Sequence, residues 1–146
     1  MTTRNITETC ALCGCILHRC GVYAKPTIKG RTYASKHHYV AERFFGRSKN
    51  RPGTQHEKIF NKCPWNIEGE TGLFCYECHE ELLHNPVFLP EDIQRLSELI
   101  KLHGLSEDYK TEKRDIIAQR IQLLHEVISK GLQKVLESSR EESGNH

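Results

Sequence analysis

Two Cys-x-x-Cys pairs, Cys10–Cys13 and Cys75–Cys78, bracket a His37-His38 dipeptide, and His79 follows the second pair directly. Zinc takes four thiolate or imidazole ligands in a tetrahedron, and a Cys-x-x-Cys turn supplies two of them without strain. Cys10-Ala11-Leu12-Cys13-Gly14 reads as a knuckle, with Gly14 free to take a positive φ. If Cys75 and Cys78 lie on a helix, the i, i+3 relation turns both sulfurs to one face. Knuckle plus helix-borne pair is the treble-clef arrangement. The spacing therefore predicts a structural Zn²⁺ on Cys10, Cys13, Cys75 and Cys78, whose binding energy, on the order of 10 kcal/mol, contributes directly to folding. Cys15, Cys20 and His18 crowd the knuckle as competing ligands, but the tidier spacing favours Cys10 and Cys13.

A chain of 146 residues suits one domain plus an appendage. Its apolar fraction of 37% is low, and a small polar domain usually needs a staple, which a structural metal supplies. Seven cysteines cannot all pair within one chain. The N-terminal residues are polar and no run approaches a membrane span, so a cytoplasmic or nucleoid location with reduced thiols is expected. The net charge of +2 conceals a polarity: residues 1–62 carry 12 Lys/Arg against 3 Asp/Glu, and residues 63–146 carry 9 against 16. A basic front half suits a phosphate-backbone partner, or matches the acidic half of the same chain.

The chain divides into a flexible lead-in (1–9), a zinc domain (10–89), a helical region (90–138) and a disordered tail (139–146). Between Tyr23 and Val40, β-branched and aromatic residues alternate with basic ones, as in a hairpin, with Lys29-Gly30 as a turn. Residues 46–72 are rich in Gly, Pro and Asn and read as a long loop, pinned by Phe60 and Trp65. A helix should start near Cys75 and stop at Asn85-Pro86. Pro90 opens a second helix that Gly104 caps. A third runs from Ser106 or Thr111 to about Ser138, with Ile117, Ile121, Leu124, Ile128 and Val135 as its apolar stripe. It either folds back as an amphipathic cover on the zinc domain or pairs with a second copy or a partner protein, which its length favours although Gly131 interrupts the heptads.

On a helix, consecutive side chains are rotated by ~100°, so His79 points away from the sulfur of Cys78. On a strand, His37 and His38 point to opposite faces. One could hold a metal while the other handles a water, provided the strand is twisted or bulged there. This layout resembles the HNH (His-Me finger, ββα-metal) endonucleases, in the subgroup with two Cys-x-x-Cys pairs. The matching segments are Cys-Ala-Leu-Cys-Gly at 10–14, His-His-Tyr-Val-Ala-Glu-Arg-Phe-Phe-Gly-Arg-Ser at 37–48 and Leu-Phe-Cys-Tyr-Glu-Cys-His at 73–79.

The resemblance implies an α+β fold, a small zinc-stabilised treble-clef (ββα-metal) domain followed by C-terminal helices, which hydrolyses phosphodiester bonds in DNA or RNA. It implies His37 and His79 as ligands of a catalytic Mg²⁺ or Mn²⁺ and His38 as the general base. Glu70 stands where the family has an Asn that orients the base, with Asn66 and Asn61 nearby in the longer loop. His84 could replace or join His79 at the metal, and His56 is a possible extra ligand or substrate contact. Lys36, Arg43, Arg47, Lys49 and Arg51 flank the His-His pair and would bind backbone phosphates. The alternatives are a non-catalytic zinc module that binds nucleic acid or protein, and a redox or zinc sensor using Cys15, Cys20 and Cys63.

Overall fold

The computed structural model describes residues 8–18, 34–46, 58–106 and 114–144. The expected hairpin turn, Cys20, His56 and the basic residues Arg47, Lys49 and Arg51 lie outside them. The chain is mixed α+β and forms two compact units, one of residues 1–56 and 63–87, the other of residues 57–62 and 88–146.

The first unit is built on two antiparallel strands, β1 (Ala34–His38) and β2 (Thr71–Cys75). Ala34 faces Cys75 and His38 faces Thr71, with the register unbroken between them. Ser35 and His37 therefore share one face of β1, and Lys36 and His38 share the other. The partner of β1 is thus the end of the long Gly/Pro-rich segment, which becomes strand at Thr71. The Cys10 turn docks on this ribbon through the main chain. Ala11 N–H donates to the Leu73 carbonyl (3.1 Å), and Ala34 N–H donates to the His18 carbonyl (3.0 Å). Within the turn, Cys10 N–H meets the Cys15 carbonyl (2.9 Å) and Gly14 N–H the Cys10 carbonyl (3.0 Å), with Gly14 at φ 78°. Glu8 and Thr9, at the end of the expected lead-in, are already paired: Leu17 N–H reaches the Glu8 carbonyl, and Thr9 bridges Ile16.

A short 3-10 turn, Glu42–Phe45, follows β1 and buries Phe45. Farther along in this unit, Cys63 is buried and Trp65 is half-buried, while Phe60, of the second unit, is buried as well. Tyr39 N–H donates to the Glu70 carbonyl (3.2 Å), extending the ribbon by one bond. Cys75 is the last residue of β2, not the first of a helix, and the helical segment Glu77–Leu83 winds as a π-helix, with i→i+5 bonding. It ends as the sequence predicts. The Asn85 side chain donates to the Glu81 carbonyl (2.9 Å), supplying one of the last unpaired carbonyls of the helix with a partner, and Pro86 follows. The core of this unit is Cys10, Leu17, Phe74, Cys75 and Cys78, with Cys15, Ala34 and Leu73 packed against it. Three of its five buried members are thiols.

The second unit holds α1 (Pro90–Leu102) and α2 (Arg114–Gly144). Pro90 opens α1, the Asp92 carboxylate accepts the Leu89 N–H (2.9 Å), and Gly104 takes φ 68° just past its end. Arg120 Nε donates to the Leu105 carbonyl (2.9 Å), and Leu105, Ala118 and Leu123 are buried. The expected end near Ser138 and the frayed tail give way to a helix that continues to Gly144. No proline or glycine interrupts residues 132–143, so each added residue gains its backbone bond. At ~1.5 Å per residue α2 spans about 46 Å. From His125 onward every residue of α2 up to Gly144 is exposed, including Ile128, Leu132, Val135 and Leu136. Among the described residues, no helix is long and apolar enough to cross a membrane.

Gly72 lies opposite His37, and a Cβ there would come within 2.5 Å of the Tyr39 hydroxyl and 2.8 Å of the Phe74 ring. Tyr39 is exposed and can swing away, whereas Phe74 is buried and cannot. Gly72→Ala is therefore expected to lower stability by about 1–3 kcal/mol in urea unfolding, the ordinary penalty of overpacking.

Candidate metal centres

Two clusters of metal-ligating side chains occur among the described residues. Cys10, Cys13, Cys75 and Cys78 form one; His37, His79 and His84 form the other, and in each the ligand atoms lie within 4.8 Å of one another.

In the thiol cluster, the sulfurs of Cys13 and Cys75 are 3.9 Å apart. A tetrahedron with Zn–S bonds of about 2.3 Å has edges of about 3.8 Å, so this spacing fits zinc. The cluster is assembled by the strand end and not by one helix face: Cys75 closes β2, and Cys78 N–H donates to the Cys75 sulfur (3.4 Å) across the first helical turn. On the other side Leu12 N–H donates to the Cys10 sulfur (3.4 Å). Burial opposes ionisation of Cys10, yet main-chain hydrogen bonds from Cys13, Cys75 and Leu12 bring its thiol down to about 6. A main-chain bond from Cys15 lowers Cys13 as well. Burial pushes Cys78 up, and pushes Cys15 up to about 12. The four charges do not coexist without a cation. A divalent ion that draws all four thiolates together removes that conflict. Cys15 packs against the cluster as a protonated thiol, and Cys63 is buried.

The histidine cluster stands on the same strand and helical turn. His37 comes from β1, with its ring edge-on to Phe74 at 5.9 Å. His79 directly follows Cys78 and is buried, and its ring centroid is 4.9 Å from that of His37. His84 closes the π-helix, 4.8 Å from His79 and 5.6 Å from His37 between ring centroids. In an α-helix, residues five apart lie about 140° apart around the axis. A turn closed by i→i+5 bonds is wider, and position i+5 returns close to the side of position i. The π winding thus brings His84 beside His79.

Ser35 Oγ lies 2.5 Å from His79 Nδ1. The Glu80 carboxylate faces two of the rings, at 3.5 Å from His79 Nδ1 and 3.3 Å from His84 Nδ1. Burial, followed by repulsion from His79, His84 and His38, lowers the pKa of His37, and burial lowers that of His79. Both imidazoles are therefore neutral at pH 7, the form that donates a lone pair to a metal. Three imidazoles with a coordination position left open is a donor set that divalent ions accept.

The other expected site residues stand apart from this cluster. His38 points from the opposite face of β1, with Nε2 3.2 Å from the Glu42 carboxylate. No bulge turns it toward His37. Glu70 is exposed just before β2. Asn61 is exposed, and so is Asn66, which sits at φ 58°. Lys36 is exposed on the face that carries His38, and Arg43 lies over the Phe44 ring at 5.6 Å. Ser35, Glu42 and Glu80 were not singled out from sequence. Glu80 and His84 carried a readable signal, since a carboxylate four residues before a histidine on a helix faces it. No family model, curated protein or solved structure matches the chain.

Two expectations follow from these geometries. Cys75→Ser should lower bound zinc from about one equivalent toward zero and abolish cooperative unfolding of the first unit, read by elemental analysis and circular dichroism. The second concerns pH. The folded pKa values of His37 and His79 lie below the ordinary value of 6.5. As pH falls from 6.5 toward those lowered values, the unfolded chain binds more protons than the folded one, and stability declines. It is fully present above 6.5. Urea unfolding at pH 7.5 and 5.5 should show a shallower pH slope in a His37→Gln, His79→Gln double variant than in the wild type.

Proposed function

We propose that this chain is a metal-dependent endonuclease of the HNH type, hydrolysing phosphodiester bonds in DNA, with a treble-clef zinc holding its active centre together. The observation that carries this reading is the placement of His37, His79 and His84 on a strand and helical turn whose adjoining residues, Cys75 and Cys78, belong to the thiol cluster. A nuclease needs a cation held rigidly near a base, and here one short helical segment can anchor zinc through Cys78 and present His79 beside it.

In this reading His37 and His79 hold the catalytic cation, and His84 joins them as a third ligand. The cation, when bound, offsets the charge that builds on the scissile phosphate. His38, at the end of β1, is the base that would take a proton from the attacking water, which requires its ring to leave the opposite strand face and reach the cation's side. Glu42 is the carboxylate that faces His38, so in this reading it orients the base. Lys36 and Arg43 are exposed near this end of the strand and suit backbone phosphates. Imidazole ligands favour zinc, nickel and their neighbours over Mg²⁺, so transition metals should support cleavage at lower concentration than Mg²⁺. The exposed apolar residues of α2 suit pairing with a second copy or a partner protein.

The orientation of His38, away from the triad, favours a second reading: a zinc module that binds nucleic acid without cutting it. Cleavage of plasmid and single-stranded DNA with added Mg²⁺, Mn²⁺, Co²⁺ or Ni²⁺ separates the two. Wild type should cut only with added cation. His38→Ala should reduce the rate by ~10²–10⁴-fold, the usual span for a lost general base, while retaining its zinc. Binding of DNA without cleavage under every cation would leave the module reading. Undiminished cleavage by His38→Ala and His37→Ala would overturn both assignments.

A further inference from the structure

Imidazole has two ring nitrogens, and only one bears the proton in the neutral form. A neutral histidine ligates a metal through the other, so a centre built from three histidines needs each ring in the right tautomer as well as the right place. At His79, Nδ1 faces Ser35 Oγ at 2.5 Å and Glu80 Oε1 at 3.5 Å. At His84, Nδ1 faces Glu80 Oε2 at 3.3 Å. A serine hydroxyl can donate or accept and does not choose a tautomer. An ionised carboxylate only accepts, and a proton on Nδ1 is the one arrangement that satisfies it at both rings.

We propose that Glu80 is a positioning residue of the histidine cluster, whose one carboxylate holds the proton of both His79 and His84 on Nδ1 and turns their Nε2 atoms toward a shared cation. The role rests on the reading that these histidines hold a metal. Its geometry comes from the π-helix: Glu80 adjoins His79 in sequence and lies one turn before His84, and the wide winding places the two rings 4.8 Å apart with the carboxylate reaching each. The two oxygens divide the work, Oε1 toward His79 and Oε2 toward His84. Ser35 then accepts from the same Nδ1–H of His79 and holds that ring from the β1 side.

His79 keeps Ser35 when Glu80 is replaced. In Glu80→Gln, the amide can accept one Nδ1–H through its oxygen but presents N–H donors to the other ring. At least one of the two rings should therefore lose its Nδ1–H preference, and Ser35, which can donate or accept, does not restore it at His79.

Two measurements on the zinc-loaded chain test this. Nitrogen-15 NMR of the imidazoles at pH 8, without a second cation, should show Nδ1–H at His79 and His84 in the wild type. In Glu80→Gln the Nδ1–H form should be diminished at one or both of these rings. Titration with Co²⁺, followed by its visible absorption, should show ~10–100-fold weaker binding at the histidines in Glu80→Gln, the usual effect of removing an outer-shell partner. The zinc content should stay unchanged, which separates a positioning role from loss of the fold. Equal tautomer populations and equal cobalt affinity in wild type and Glu80→Gln would overturn the role of Glu80. Wild type that takes up no cobalt beyond the cysteine site would instead overturn the metal-centre reading on which it rests.

Discussion

The convergence of four thiols from two distant turns is the contact on which the first unit depends. Its core consists of Cys10, Leu17, Phe74, Cys75 and Cys78, and no large side chain among the described residues is wholly shielded from solvent. So few apolar groups cannot offset the entropy of ordering the knuckle, the ribbon and the helical turn. Main-chain bonds from Ala11 to Leu73 and from Ala34 to His18 align the knuckle with the strands. They place the sulfurs at a spacing a zinc ion accepts, and the ion can then supply what the core lacks. The staple and the scaffold are the same residues.

The histidine cluster stands on the same strand and helical turn as two of those thiols. His79 adjoins Cys78, and His37 stands one strand away from Cys75, so holding the sulfurs holds two of the three rings. Burial beside Phe74 and mutual repulsion keep His37 neutral, which suits a ligand and costs little while a cation is bound. The price of crowding three imidazoles falls on the metal-free protein at acid pH, where charging them becomes unfavourable. Glu80 moderates this by placing a negative charge between two of the rings. The same carboxylate that eases the repulsion can also fix where the ring protons sit.

Much of this organisation was legible in the residues themselves. The four cysteines came from spacing, because a Cys-x-x-Cys turn is a local geometry that few other demands produce. The start and stop of α1 came from Pro90 and Gly104, whose backbone preferences act locally too. The pairing of β1 with Thr71–Cys75 was not legible, since a strand that follows a Gly/Pro-rich stretch carries too short an alternation to announce itself. The end of α2 was misplaced because Ser138 and Ser139 suggest fraying, whereas backbone bonding in an uninterrupted helix carries on past them. Alternation on a strand already placed His38 opposite His37; whether a bulge turns it back was not legible, and the unbroken register, decided across two strands, shows that none does.

Sequence by itself determined which atoms could bind metal: the thiols at 10, 13, 75 and 78 and the histidines at 37, 79 and 84. Spacing along a chain is a short-range property, and it is written in residue types. Tertiary structure decided which of these atoms meet. The inclusion of His84 needed a π rather than an α winding, and the choice of Glu42 and Glu80 as carboxylate partners needed a particular strand face and a particular helical turn. The strand face and the winding depend on hydrogen-bond closure and on packing between segments far apart in the chain, whereas the spacing of four between each carboxylate and its histidine is local.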